Sequence, residues 1–545
     1  MMCEHATQVL TLVSTASTVV LHTSTRVAIP PAPYFLHRTT WGIPRNFRSV
    51  PHHPAAAHCR RHPPALTLHP ERHRRRLLSL TPMLTPVRRG LRSLAAKQLG
   101  SLATLSSVSR LPASKLPALT QAENIELRQR HLAPGLKTHY ASSDAGPLKV
   151  AYGRGQYLFD IDGRRYLDCV NNVCHVGHCH PRIVTAASTQ LGRLNTNSRY
   201  LHDNMVYLAA EVTSTMPDPL SVCIFVNSGS EANDLALRLA RAYTGRRDVY
   251  CVDGAYHGNS AATLAISPYN KYGQPEVADD SVVLTCPDRY RLQSSEAELT
   301  ARCVSEFERI VHSGRAPAAF IVETLICCGG QVVLPEGYLS QMHAIARQAG
   351  GVAIADEVQV GFGRVGSHMW AFEAHGAVPD IVTLGKPFGN GFPLAAVICT
   401  PEIAEVSREV EYFNTFGGNP VACAVGMEVL RVIEDEGLQA NAQDVGSYTR
   451  SLVRDELMPC HMQIGDVRGM GLIFGIELVK DRGTREPDPE CAAHIMNHAR
   501  THSRVLVSTD GPHRNIIKMK PPLCFTREDG DALVDAIDQA LRNLP

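Results

Sequence analysis

The sequence predicts an α/β protein: a large, mostly parallel sheet with helices on both faces, followed by a smaller α+β domain. Three observations carry that expectation. From Tyr140 onward, short and nearly continuous apolar runs alternate with amphipathic helical stretches, the pattern of strands buried on both faces. Each run ends in polar or glycine-rich residues, and functional groups gather at the carboxyl ends of the strands in such sheets. After about residue 425 the pattern changes to helices and short strands, as in "VRGMGLIFGIELV" and "IIKMKPPLCF".

The chain has 545 residues, 44% of them hydrophobic and 19% charged, which is more than one core requires. Residues 1–120 are expected to be a disordered basic extension. They hold 13 of the 35 prolines, and 16 Lys and Arg against only Glu4 and Glu71, a composition that cannot bury a core. From Met83 this extension is Arg- and Ser-rich, lacks acids, and spaces Val87, Leu91, Leu94, Leu102 and Leu105 as a helix would. That is the composition of a mitochondrial transit peptide, with a solvated basic tail and a cytoplasmic location as the competing reading. Residues 121–190 are expected to form an N-terminal segment, 191–425 the large domain and 426–545 the small one. No run of about 18 apolar residues occurs, which excludes a transmembrane helix of ordinary length. The body after residue 120 is net acidic, a poor match for nucleic acid.

The 16 cysteines are scattered as reduced thiols would be. Cys169, Cys174, His175, His178, Cys179 and His180 crowd "LDCVNNVCHVGHCHP", but their spacing departs from closed tetrahedral zinc sites. A tight polar loop is expected there, and no metal.

The strand elements follow in order. "SVCIFVNSGSEAN" reads as a strand, Val222–Val226, then a Gly/Ser turn opening a helix through "DLALRLARAYTG". "DVYCVDG", "FIVETL", "GVAIADEVQVG" and "DIVTLGKPFG" are further buried strands. Their ends carry Ser228–Gly229–Ser230, Glu323, Asp356 and Lys386. Free N–H groups at a strand-to-helix turn form an anion site suited to phosphate. Asp356 is either a capped structural acid or the partner of a protonated ring nitrogen. Lys386 is either a surface lysine or a sheltered amine whose pKa is lowered by desolvation. Together the three point to a Schiff-base cofactor, pyridoxal 5′-phosphate, with 191–425 as its binding domain.

Residues from about 125 to 545 resemble the class III aminotransferase family, fold type I enzymes that use this cofactor. The resemblance implies that Lys386 is the Schiff-base lysine and Asp356 the pyridinium partner, both catalytic. Val358 and Gln359 would lie beneath the ring and bond its 3′-oxygen. Gly229 and Ser230 would hold the phosphate, Tyr256 would stack on the ring, and Glu323 would complete the cofactor site. Core packing is the competing reading for Val358 and Tyr256. Thr415 in "YFNTFGGNP" would reach a phosphate across a subunit interface, implying a homodimer or a tetramer built from it.

"CVNNVCHVGHCHP", "LNTNSRYLHDN", "CGGQ", "DEVQVGFGRVG" and "GPHRNIIKMKPPLCF" are similar to the phospho-lyase branch of this family. The family's aminotransferases clamp a substrate carboxylate with an arginine two residues before "xPPL", often paired with a glutamate. Here Lys518 and Cys328 occupy those places. An ammonium is a point charge that serves a phosphate monoester well. Lys518 and Lys520 are therefore expected to bind substrate phosphate, unless they are exposed lysines on an edge strand. Three functions follow. The first is a lyase that eliminates phosphate from a small phosphorylated amine, O-phosphoethanolamine foremost, giving acetaldehyde, ammonia and phosphate. The second is an aminotransferase using pyruvate or glyoxylate, and the third a non-catalytic dimeric scaffold.

Overall fold

The computed structural model describes residues 116–545 except 142, 144–145 and 270–277; the transit-peptide-like stretch from Met83 lies almost entirely outside the described residues. Fifteen strands are described, and they form three sheets. In chain order they are β1 (Val150–Arg154), β2 (Tyr157–Asp160), β3 (Arg165–Asp168), β4 (Val222–Val226), β5 (Val249–Val252), β6 (Ser281–Leu284) and β7 (Ala319–Glu323). There follow β8 (Val352–Asp356), β9 (Ile381–Leu384), β10 (Ala395–Cys399), β11 (Ile464–Met470), β12 (Ile473–Leu478), β13 (Val505–Leu506), β14 (Ser508–Asp510) and β15 (Ile516–Met519).

The central sheet has seven strands in the order β4-β10-β9-β8-β7-β5-β6. Its pairings are parallel except at β10, which runs antiparallel to both β4 and β9. Strands β5, β7, β8, β9 and β10 are buried at every residue, as expected of strands covered on both faces. Each buried Val, Leu, Ile or Phe there contributes about 1.5–3 kcal/mol relative to exposure. The antiparallel β10 inserts "AAVIC" between β4 and β9, and so sets the Gly/Ser turn after β4 two strands away from Lys386 after β9.

The other two sheets have four strands each. One is β11-β12-β15-β14, so β15 lies inside its sheet and not at the edge. The second is β1-β2-β3-β13, in which the two-residue β13 runs parallel to β3 and joins chain segments more than 330 residues apart. Residues 116–545 form one compact unit. The polar loop after β3 is tied down by side chains: His178 Nε2 meets Asp168 Oδ2 at 2.8 Å, and His175 Nε2 lies 2.7 Å from the Phe362 carbonyl. Among the described residues no helix is long and apolar enough to cross a membrane.

Candidate active site

The ends of β4, β7, β8 and β9 and the end of the 516–520 segment open onto one cavity of about 590 Å³. The turn after β4 becomes the helix Gly229–Thr244. Ser228 caps it by accepting the Glu231 N–H at 3.2 Å, and the Ser230 hydroxyl accepts the Asn259 N–H at 3.0 Å. The Gly229 and Ser230 N–H groups belong to a first turn that has no intrahelical carbonyl to meet them. They line the cavity with the positive helix end behind them.

Asp356 ends β8 and is buried. Its Oδ2 accepts from Asn233 Nδ2 at 2.8 Å and meets His257 Nδ1 at 2.8 Å, while Oδ1 accepts the Val358 N–H at 3.0 Å. Asn233 stands in the first turns of the helix that follows the Gly/Ser turn, and His257 follows Tyr256 in "DGAYHG". Sequence reasoning missed both as partners of Asp356, although each lies inside a motif it had singled out. These three contacts fix the carboxylate in the cavity lining.

Val358 lies between two glycines that must be glycines. A Cβ at Gly229 would stand 2.5 Å from Val358 Cγ1, and one at Gly385 would stand 2.7 Å from it. Val358 is therefore packed between the Gly/Ser turn after β4 on one side and the residue before Lys386 on the other. Lys386 opens a short 3₁₀ turn after β9 and faces the cavity. Enclosure by the cavity walls lowers its pKa from the ordinary lysine value, and Lys520 adds to that effect.

Glu323 ends β7 and accepts the Tyr256 N–H at 3.1 Å and the Cys327 N–H at 3.2 Å. Burial, and after it the Asp356 charge, raise its pKa. Tyr256 lines the cavity, with its ring edge-on to Tyr269 at 6.4 Å between centroids. Gln359 Oε1 accepts from both Asn172 Nδ2 and Lys520 Nζ, each at 2.9 Å. Lys518 Nζ donates to Asp510 Oδ2 at 2.7 Å, and Asp510 is fully buried. Asp510 was not singled out in the sequence, although it directly precedes "GPHRNIIKMKPPLCF".

The structure thus brings Gly229, Ser230, Tyr256, Glu323, Asp356, Val358, Gln359, Lys386, Lys518 and Lys520 around one cavity, with Cys328 in its wall. The edge-strand alternative for the lysines is overturned: Lys518 pairs with both β12 and β14, and Lys520 is 2% exposed. Thr415 is the exception. It is exposed and lies outside the cavity, next to Asn414, whose Oδ1 accepts from Asn227 Nδ2 at 2.9 Å.

The donor set fits pyridoxal phosphate: an anion cradle, a sheltered amine, a buried carboxylate in the cavity lining, and a wall residue, Val358, that a Cβ at Gly229 or Gly385 would displace. Comparisons with known proteins agree. The family model for class-III aminotransferases matches residues 140–541. The alanine–glyoxylate aminotransferase 2-like protein of Drosophila melanogaster is 51% identical over 427 residues, covering 76% of this chain and 85% of the relative. The ethanolamine-phosphate phospho-lyase homolog 1 of Caenorhabditis elegans is 40% identical over 468 residues, covering 81% and 99%. The mitochondrial alanine–glyoxylate aminotransferase 2 homolog 2 of Arabidopsis thaliana is 42% identical over 421 residues, covering 76% and 87%. Among solved structures, a phospholyase from Arthrobacter in complex with phosphoethanolamine is 36% identical with a TM-score of 0.73, covering 77% of this chain and 100% of that one. The chain belongs to the class-III aminotransferases, and it is a pyridoxal 5′-phosphate-dependent enzyme with the fold of that group.

Proposed function

We propose that this enzyme eliminates phosphate from a small phosphorylated amine, O-phosphoethanolamine foremost, giving acetaldehyde, ammonia and inorganic phosphate with the uptake of one water. The observation that carries this reading is Lys518, an ammonium in the cavity wall where the family's aminotransferases place a carboxylate-clamping arginine. Cys328 stands in the same wall in place of the paired glutamate. The phosphoethanolamine complex of the Arthrobacter relative supports the same substrate class.

In this reading Gly229 and Ser230 hold the cofactor phosphate and Asp356 holds the ring nitrogen proton. Val358 and Tyr256 bound the ring, Gln359 bonds its oxygen, and Glu323 fixes the Tyr256 backbone. Bound pyridoxal phosphate supplies an electron-withdrawing ring that acidifies the C–H bond beside the substrate nitrogen. The chain does the rest. Lys386, with its ammonium form disfavoured, takes that proton. Lys518 holds the substrate phosphate, which departs with the electron pair of its C–O bond, and water then releases ammonia from the remaining fragment. Thr415 and a homodimer belong to the same proposal: the exposed Thr415 would serve the cofactor phosphate of a neighbouring copy.

Amine transfer to pyruvate or glyoxylate is the second reading, favoured by the aminotransferase names of the Drosophila and Arabidopsis relatives. One paired assay separates them: phosphate release from phosphoethanolamine and phosphohydroxylysine, and alanine formation from pyruvate. Brisk alanine formation with no phosphate release overturns the lyase reading. For location, the mitochondrial matrix is proposed from the stretch that begins at Met83, and the Arabidopsis relative is named mitochondrial.

A further inference from the structure

Lys518 and Lys520 stand two residues apart and reach different partners. Lys518 Nζ is on Asp510, whereas Lys520 Nζ is on the amide oxygen of Gln359. A lysine ammonium has donors only, so the Gln359 oxygen must face it, and Asn172 Nδ2 donates to that same oxygen. The Gln359 NH₂ is thereby turned the other way, toward Glu323 Oε2 at 3.5 Å. An amide held in this orientation presents donors and no acceptor on that side, which suits a ring oxygen; an amide turned over would present its oxygen there instead. Lys520 is itself immobilised. Its N–H donates to the Cys169 carbonyl at 3.0 Å, and the next carbonyl, Pro521, accepts from Arg364 Nη1 at 2.8 Å.

We infer that Lys520 is a positioning residue of the cofactor site, which fixes the donor end of Gln359 and places a cation beside Lys386, and that it is not a ligand of the substrate phosphate. The inference rests on the cofactor placement proposed above. The groups that act on Lys386 besides burial are Lys520, which disfavours its charge, and Asp356, Cys327 and Cys328, which favour it. Removing Lys520 therefore leaves Lys386 more basic.

The test uses the holoenzyme carrying Lys520→Met, with Lys520→Gln to cover a folding failure. Cofactor retention is read by dialysis, and visible absorbance is titrated from acid to alkaline pH. Cofactor affinity is expected to fall about 10-fold or more, the usual effect of losing a charge-assisted hydrogen bond. The absorbance transition is expected to move to higher pH. With cofactor in excess, KM for phosphoethanolamine is expected to stay within roughly threefold while kcat falls. Gln359→Leu is expected to lose affinity similarly, and the double variant to lose less than the two combined, because both act through one contact. A KM raised about 10-fold or more, with cofactor retention and the absorbance transition unchanged, makes Lys520 a substrate ligand and overturns the inference. Additive losses overturn it as well. Retention and absorbance need no turnover, so they decide the matter even if phosphoethanolamine is not the substrate. A normal cofactor spectrum in Lys386→Ala would instead remove the cofactor placement beneath both.

Discussion

Lys386 and Lys518 are two amines in one cavity whose surroundings push them in opposite directions. Burial opposes the charge on both. For Lys386 burial prevails and the pKa falls; for Lys518 the Asp510 carboxylate outweighs burial and the pKa rises. One amine is suited to bond carbon and carry a proton, the other to remain a cation. Lys386→Ala is accordingly expected to abolish the yellow absorbance of the lysine-bound cofactor, and external amine to restore part of it. Lys518→Ala is expected to leave that absorbance intact and to raise KM for phosphoethanolamine roughly 10- to 150-fold, because a charge-assisted contact contributes about 1.5–3 kcal/mol. Lys518→Arg restores a carboxylate fork and is expected to improve carboxylate-bearing donors relative to phosphoethanolamine, as judged by the ratio of kcat/KM values.

The sheet β1-β2-β3-β13 and the loop after β3 form a frame behind these side chains. Asp168 ends β3 and pairs with His178, and the neighbouring Cys169 carbonyl holds Lys520 in place. Burial disfavours the His178 imidazolium, but the Asp168 carboxylate and then the Cys174 thiol overcome it and push the pKa up to about 10. A raised folded-state pKa stabilises the fold fully below the unfolded value of about 6.5, and that contribution is lost as pH rises toward 10. His178→Asn is therefore expected to cost about 3 kcal/mol in mildly acid solution, the lower end for breaking a buried charge pair. The gap from the parent protein is expected to narrow steadily toward pH 10. Thermal unfolding of both proteins across that window measures it, and a gap that widens with pH would refute the charge assignment.

The proposed dimer and destination can be tested directly. Tyr200, Leu201, Val206 and Tyr207 on one segment, and Phe413 and Phe416 flanking Thr415 on another, are exposed apolar side chains of the kind that subunit contacts cover. Sedimentation of the purified enzyme is expected to give twice the mass of its chain, and Phe416→Asp to shift it toward the monomer with loss of activity. A reporter fused to residues 83–120 is expected to enter mitochondria; a cytosolic reporter would leave that stretch an ordinary basic tail.

Much of this enzyme is written locally in its sequence. Buried strands announce themselves as apolar runs, so β4, β5, β7, β8 and β9 and the polar residues at their ends were legible, and with them Gly229, Ser230, Glu323, Asp356 and Lys386. The two-residue β13 is too short to leave a periodic trace; β6 and β10 were not singled out either, and the antiparallel direction of β10 leaves no mark in the sequence. The division of labour between Lys518 and Lys520 was hidden for another reason. Asp510 was unremarkable in its own segment, Gln359 lies 161 residues before Lys520, and Asn172 a further 187 before Gln359. An amine's pKa and a glutamine's orientation depend on which charges and donors fold against them, and those neighbours are chosen by the packing of distant strands, not by the residues on either side.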